Sequence, residues 1–78
     1  MRPDPSTMPV VRVVFTLADG TVLQRDWTMH EPPPRVLMEG PPEWLGNARR
    51  TWDHPQDPVT LTGDVDAGHE AEARELLA

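Results

Sequence analysis

Two runs of β-branched and aromatic residues, Val10-Val11-Arg12-Val13-Val14-Phe15-Thr16-Leu17 and Thr21 to Met29, stand either side of Ala18-Asp19-Gly20. β-Branched side chains favour extended backbone, and Asp-Gly between two such runs signals a hairpin. The side-chain pattern selects the loop length. A two-residue Asp19-Gly20 loop would set Phe15 against Gln24 and Val13 against Asp26, apolar against polar. A three-residue loop, a type I turn closed by Gly20 in the left-handed region, pairs Leu17 with Thr21, Phe15 with Leu23 and Val11 with Trp27. On the opposite face it sets Arg12 against Asp26. A one-residue slip turns every side chain to the other face, so the spacing predicts the second register.

That register places Val11, Val13, Phe15, Leu17, Leu23, Trp27 and Met29 on a core face. Val10, Val14 and Val22 fall among Arg12, Thr16, Gln24, Asp26 and Thr28 on a mixed face. Arg25, opposite Val13, is the misfit and is expected to run its aliphatic stem to the sheet edge.

Pro32-Pro33-Pro34 ends the hairpin, because proline cannot donate to a ladder. Arg35-Val36-Leu37-Met38-Glu39 reads as a short third strand, and Gly40-Pro41-Pro42 as a break. Glu43-Trp44-Leu45 reads as one helical turn, with Gly46 as terminator. Ala48 to Asp53 and Val59 to Val65 are two further strand segments, joined through His54-Pro55-Gln56-Asp57-Pro58; the second alternates apolar and polar side chains. Ala67 to Ala78 is rich in Ala, Glu and Leu and predicts a C-terminal helix over 67–78, with Asp66 as N-cap and a Glu70–Arg74 pair. Residues 1–9, with three prolines, read as an extended or disordered lead-in to a single domain over 10–78. The expected fold is α+β: a small antiparallel sheet of four or five strands, a meander or an open barrel, with the C-terminal helix against it.

A chain of 78 residues has room for one domain. It contains no cysteine, so disulfides and thiolate metal sites are excluded, and nothing points to an oxidising compartment. No apolar run follows the N-terminus as in a signal peptide, and none reaches the length of a membrane span. The expected location is the cytoplasm. Arginine stands in place of lysine throughout, and proline is abundant. This usage fits a GC-rich coding sequence, in a bacterium or a virus infecting one; if it is phage encoded, the expected location is the host cytoplasm.

The formal net charge of −6 is not spread evenly. Residues 1–52 hold six acids and six arginines; residues 53–78 hold seven acids against Arg74 alone. Direct nucleic-acid binding is not expected, since it needs clustered cations to neutralise phosphates. Nucleophilic catalysis lacks its residues: there is no cysteine or lysine, and the one serine, Ser6, lies in the lead-in. His30-Glu31, Asp53-His54 and His69-Glu70 are neighbours in sequence, and adjacent residues on a strand or helix point apart. No catalytic residue, metal site or cofactor is therefore expected, and no enzymatic activity.

Trp44, Arg49, Arg50 and Trp52 fall within nine residues, and Trp and Arg are enriched in interface hot spots. They are the candidate partner-binding residues; a loop clamped onto its own sheet by Trp44 is the competing reading. Glu70, Glu72 and Glu75 form a candidate acidic surface. The expected function is a small non-catalytic protein-binding or accessory regulatory module. One alternative is an acidic nucleic-acid mimic that inhibits a DNA-binding protein. Another is a self-assembling structural subunit such as a homodimer, because open sheet edges invite a second copy. No motif is specific enough to assign a family.

Overall fold

A computed structural model describes residues 7–78. Six elements follow in chain order: β1 (Pro9–Thr16), β2 (Val22–Thr28), α1 (Arg35–Glu39), β3 (Leu45–Thr51), β4 (Val59–Val65) and α2 (Glu70–Leu76). The strands form one sheet in the order β2-β1-β4-β3. The class is α+β, with a C-terminal helix. Of the expected lead-in, residues 1–6 lie outside the described residues, and Pro9 already belongs to β1.

The hairpin has the register read from the side-chain pattern: Val11 opposite Trp27, Arg12 opposite Asp26, Val13 opposite Arg25 and Phe15 opposite Leu23. Its turn is closed by Leu17 N–H to the Thr21 carbonyl (2.7 Å) and Gly20 N–H to the Leu17 carbonyl (2.9 Å). Gly20 has φ 92°, the left-handed backbone that glycine adopts without a Cβ clash. Asp19 secures the turn by accepting the Thr21 N–H at 2.9 Å. That backbone hydrogen bond holds its carboxyl below the ordinary range.

The sheet departs from an all-antiparallel meander at its centre. β1 pairs with β4 in parallel, Val11 to Thr16 alongside Val59 to Asp64, while β3 pairs antiparallel with β4. Parallel neighbours need a long crossover, and here everything from β2 to β3 supplies it.

Arg35–Glu39, expected as a strand, is a one-turn helix. A strand would send Val36 and Met38 to one face. Instead Val36 is buried, Leu37 is half-buried and Met38 is 73% exposed. The prolines that end a strand also suit a helix entry; Pro34 occupies the N-cap position, and Gly40, at φ 91°, closes the other end. Glu43-Trp44 is a turn, closed by Leu45 N–H to the Pro42 carbonyl, that runs directly into β3. β3 therefore begins at Leu45, includes Gly46 and ends at Thr51, leaving Trp52 and Asp53 beyond it. α2 is shorter than the expected 67–78. Gly68, at φ 94°, belongs to the turn before it, and His69 rather than Asp66 holds the N-cap position, without a side-chain cap. Met29, expected in the core, is 60% exposed, because Glu31 folds back to accept the Thr28 N–H and ends β2 one residue earlier.

The core lies on one side of the sheet. Val13, Phe15, Leu17, Trp27, Leu45, Leu61 and Val65 meet Val36 of α1 and Ala73 of α2, with Val11, Leu23, Leu37, Trp44, Leu76 and Leu77 packed around them. Arg25 shares this side and solves its misfit by lying over Trp27, its guanidinium carbon 4.6 Å from the ring centroid. It donates outward to Glu31 Oε2 (3.2 Å) and to the Ala78 carbonyl (2.7 Å). On the open side, Arg12 grips Asp26 through Nε and Nη2 at 2.9 and 3.0 Å.

Gly63 sits directly beneath Leu45. A Cβ there would lie 2.6 to 2.9 Å from Leu45 Cγ and both its methyl carbons, and Leu45 is itself buried. Gly63→Ala is expected to lower stability by about 1–3 kcal/mol. In Leu45→Ala the same substitution should cost markedly less, a coupling that denaturant melts of the double-mutant cycle would read. Acid response follows from Asp26, held below the ordinary carboxylate range by its hydrogen bonds from Arg12, and from Glu31, held low by the Thr28 N–H. Folded-state values below unfolded ones stabilise the fold fully above the ordinary carboxylate range. That contribution is lost as pH falls through the lowered values. Asp26→Asn should therefore flatten the acid limb of a stability–pH curve, while costing only about 0.2–1 kcal/mol at neutral pH.

Candidate functional site

The two short helices cover the core side incompletely and leave an open cleft of about 540 Å³ between them. α1 contributes Arg35, Val36 and Glu39, and the segment after it Gly40, Pro41, Pro42 and Trp44; α2 contributes Glu72, Glu75 and Leu76. Val36, Trp44, Leu76 and the two prolines make an apolar lining, and the proline rings hold their backbone at fixed φ. The charged groups stand at the rim.

Trp44 is placed by both sides of the molecule. Its ring meets Phe15 edge-on, centroids 6.2 Å apart at 82°, and stacks flat on His69 at 5.8 Å and 8°. The Trp44 carbonyl accepts the Asp66 N–H at 2.9 Å, tying the β3 entry to the turn before α2. His69 Nδ1 lies 2.9 Å from Glu72 Oε1. Trp44 thus clamps its own segment to the core and still presents part of its surface to the cleft.

The other expected contact residues are dispersed. Arg49 pairs opposite Thr62 and Arg50 opposite Leu61, so the two arginines leave β3 on opposite faces. Arg50 turns toward the helical side and donates to the Leu37 carbonyl at 2.9 Å. Trp52 is 59% exposed beyond the end of β3 and donates its indole N–H to the Asp57 carbonyl at 3.0 Å. It lines a different, smaller depression with Arg12, Thr51, Asp53, Asp57, Pro58 and Thr60. The acidic surface divides too. Glu72 and Glu75 line the cleft; Glu70 faces away from it and accepts two hydrogen bonds from Arg74, at 3.0 and 2.9 Å.

Val36, Glu39, Pro41, Pro42 and Leu76 are site residues that the sequence pattern does not single out. They come from two separate stretches, 36–42 and α2, that only tertiary docking assembles. Paired prolines two residues before a tryptophan are the one local signal of a rigid apolar wall.

What the cleft can do follows from its chemistry. No side chain with a polar head is fully buried among the described residues, and none is left buried without a hydrogen-bond partner. The cleft has an apolar floor and a charged rim. Among the described residues no three His, Asp or Glu side chains converge as a metal would need, and no helix is long and apolar enough to cross a membrane.

The tryptophan environments can be told apart in solution. Trp52→Phe is expected to remove most of the acrylamide-quenchable emission at a stability cost below about 1.5 kcal/mol. Trp44→Phe should remove less of it, and the buried Trp27 should supply the unquenched remainder. No family model, curated protein or solved structure matches this chain.

Proposed function

We propose that the protein is a small non-catalytic binding module that engages a protein partner through the α1–α2 cleft. The observation that carries this reading is the cleft itself: an apolar floor containing a partly buried tryptophan, ringed by exposed charges. Tryptophans seated in such floors supply a large share of interface energy, while the surrounding rim excludes water.

Two features weigh against the alternatives. Of the three carboxylates on α2, Glu70 is neutralised by Arg74, and Glu72 lies against His69, so the helix is a poor copy of a phosphate row. The β3 edge is bent by a bulge between Gly46 and Arg49, with Asn47 at φ 52°, and carries two arginines. Bulges and edge cations obstruct strand pairing with a second copy.

The cysteine-free chain makes a direct test simple. Glu39→Cys, at the cleft mouth, and Gln56→Cys, in the loop beside Trp52, each allow one bulky thiol label. A partner protein captured by the unlabelled variants should be lost when the label sits at the cleft mouth and kept when it sits in the loop. The reverse pattern would move the contact surface to Trp52 and Arg49. Retention with both labels would overturn the cleft reading.

A further inference from the structure

The rim of the cleft is chemically one-sided, and this bears on what it accepts. Three carboxylates, Glu39, Glu72 and Glu75, face one guanidinium, Arg35, a local excess of two negative charges. Glu39 and Glu75 form no ion pair or side-chain hydrogen bond among the described residues, unlike Glu70, which is occupied by Arg74. The two unpaired carboxylates come from different helices, on the two walls of one apolar trough. A ligand lying between them would meet negative charge from both sides and apolar surface beneath.

We infer that the cleft takes a cationic peptide segment of a partner, with arginine or lysine side chains flanking one large apolar anchor. The inference rests on the proposed cleft function and adds the chemistry of its occupant. The anchor seats on Val36, Trp44 and Leu76, and the cationic side chains reach Glu39 on one wall and Glu75 on the other. Arg and Lys suit this geometry because their aliphatic stems cover the proline and leucine surface while their heads stay at the wet rim. The −6 charge of the whole chain acts in the same direction, drawing a basic partner toward the protein before contact. An acidic segment would meet repulsion at both walls. A neutral apolar segment would leave the rim carboxylates partly desolvated without partners.

The test is selection of a random peptide library on the intact protein. Selected peptides are measured by titration against wild type, against Glu39→Gln/Glu75→Gln, and against Glu39→Cys carrying the bulky label. Both rim positions are exposed, so the double variant should melt like wild type, which circular dichroism checks. The expected result is enrichment of peptides with two or more basic residues around an aromatic or long aliphatic one. Their affinity should fall about tenfold in the double variant, and their salt dependence should flatten. Loss of binding to the labelled protein would place them in the cleft. Enriched peptides that are neutral or acidic, yet blocked by the label, would overturn the cationic inference and leave the cleft function standing. Peptides indifferent to the label, or no enrichment, would overturn both.

Discussion

The parallel pairing of β1 with β4 governs the layout of the molecule. It puts β1 between its hairpin partner and β4, so the most apolar strand has hydrogen-bonded neighbours on both edges. Two parallel strands cannot be joined by a tight turn, and the connection must travel back along the sheet before β4 begins. β2 makes that return within the sheet, the segment bearing α1 then crosses one face to the start of β3, and α2 follows β4 onto the same face. Both helices contribute to one core with Val13, Phe15 and Leu61. The opposite face carries no helix and is furnished with threonine, valine and the Arg12–Asp26 pair. Because the helices are only five and seven residues long, they cannot roof the core completely. The cleft is the gap they leave.

Close contact at the sheet centre has its own requirement. Leu45 enters the core across the backbone of Gly63, and the lack of a side chain on that glycine lets β3 and β4 bring their apolar residues under α1 and Trp44. Leu45 is followed at once by the bulge that turns the rest of β3, so its core contact is made at the strand's entry. Arg25 plays a comparable part at the other edge, joining β2, the turn at Glu31 and Ala78, beyond α2, through one side chain.

How much of this is legible in residues alone depends on distance along the chain. The first hairpin is legible to the register, because alternation and Asp19-Gly20 act within about 20 residues of chain and a slip would expose Phe15. Arg25 is legible as a misfit for the same reason. The parallel pairing is not, since Val59 to Val65 alternates identically whether its neighbour runs with it or against it. α1 reads as a strand because Val36 favours strands locally, while the outcome is decided by burying adjacent Val36 and Leu37 against the sheet. In the candidate site, Trp44 stands out from its surroundings in sequence. Its place beside Leu76 and Glu75 is a tertiary event, and the proximity of Arg49, Arg50 and Trp52 along the chain dissolves because Arg49 and Arg50 leave β3 on opposite faces and Trp52 lies beyond its end.

The sheet order also ranks the elements by how firmly they are held. β1 and β4 have hydrogen-bonded neighbours on both sides, whereas the walls of the cleft belong to two short helices and a proline turn with no ladder of their own. Opening of such peripheral units costs less than global unfolding. The cleft can therefore widen or narrow by small movements of α1 or α2 while the strand ladder stays intact. The molecule sets the short helices over a braced sheet, so local opening beside the cleft precedes loss of the strand ladder.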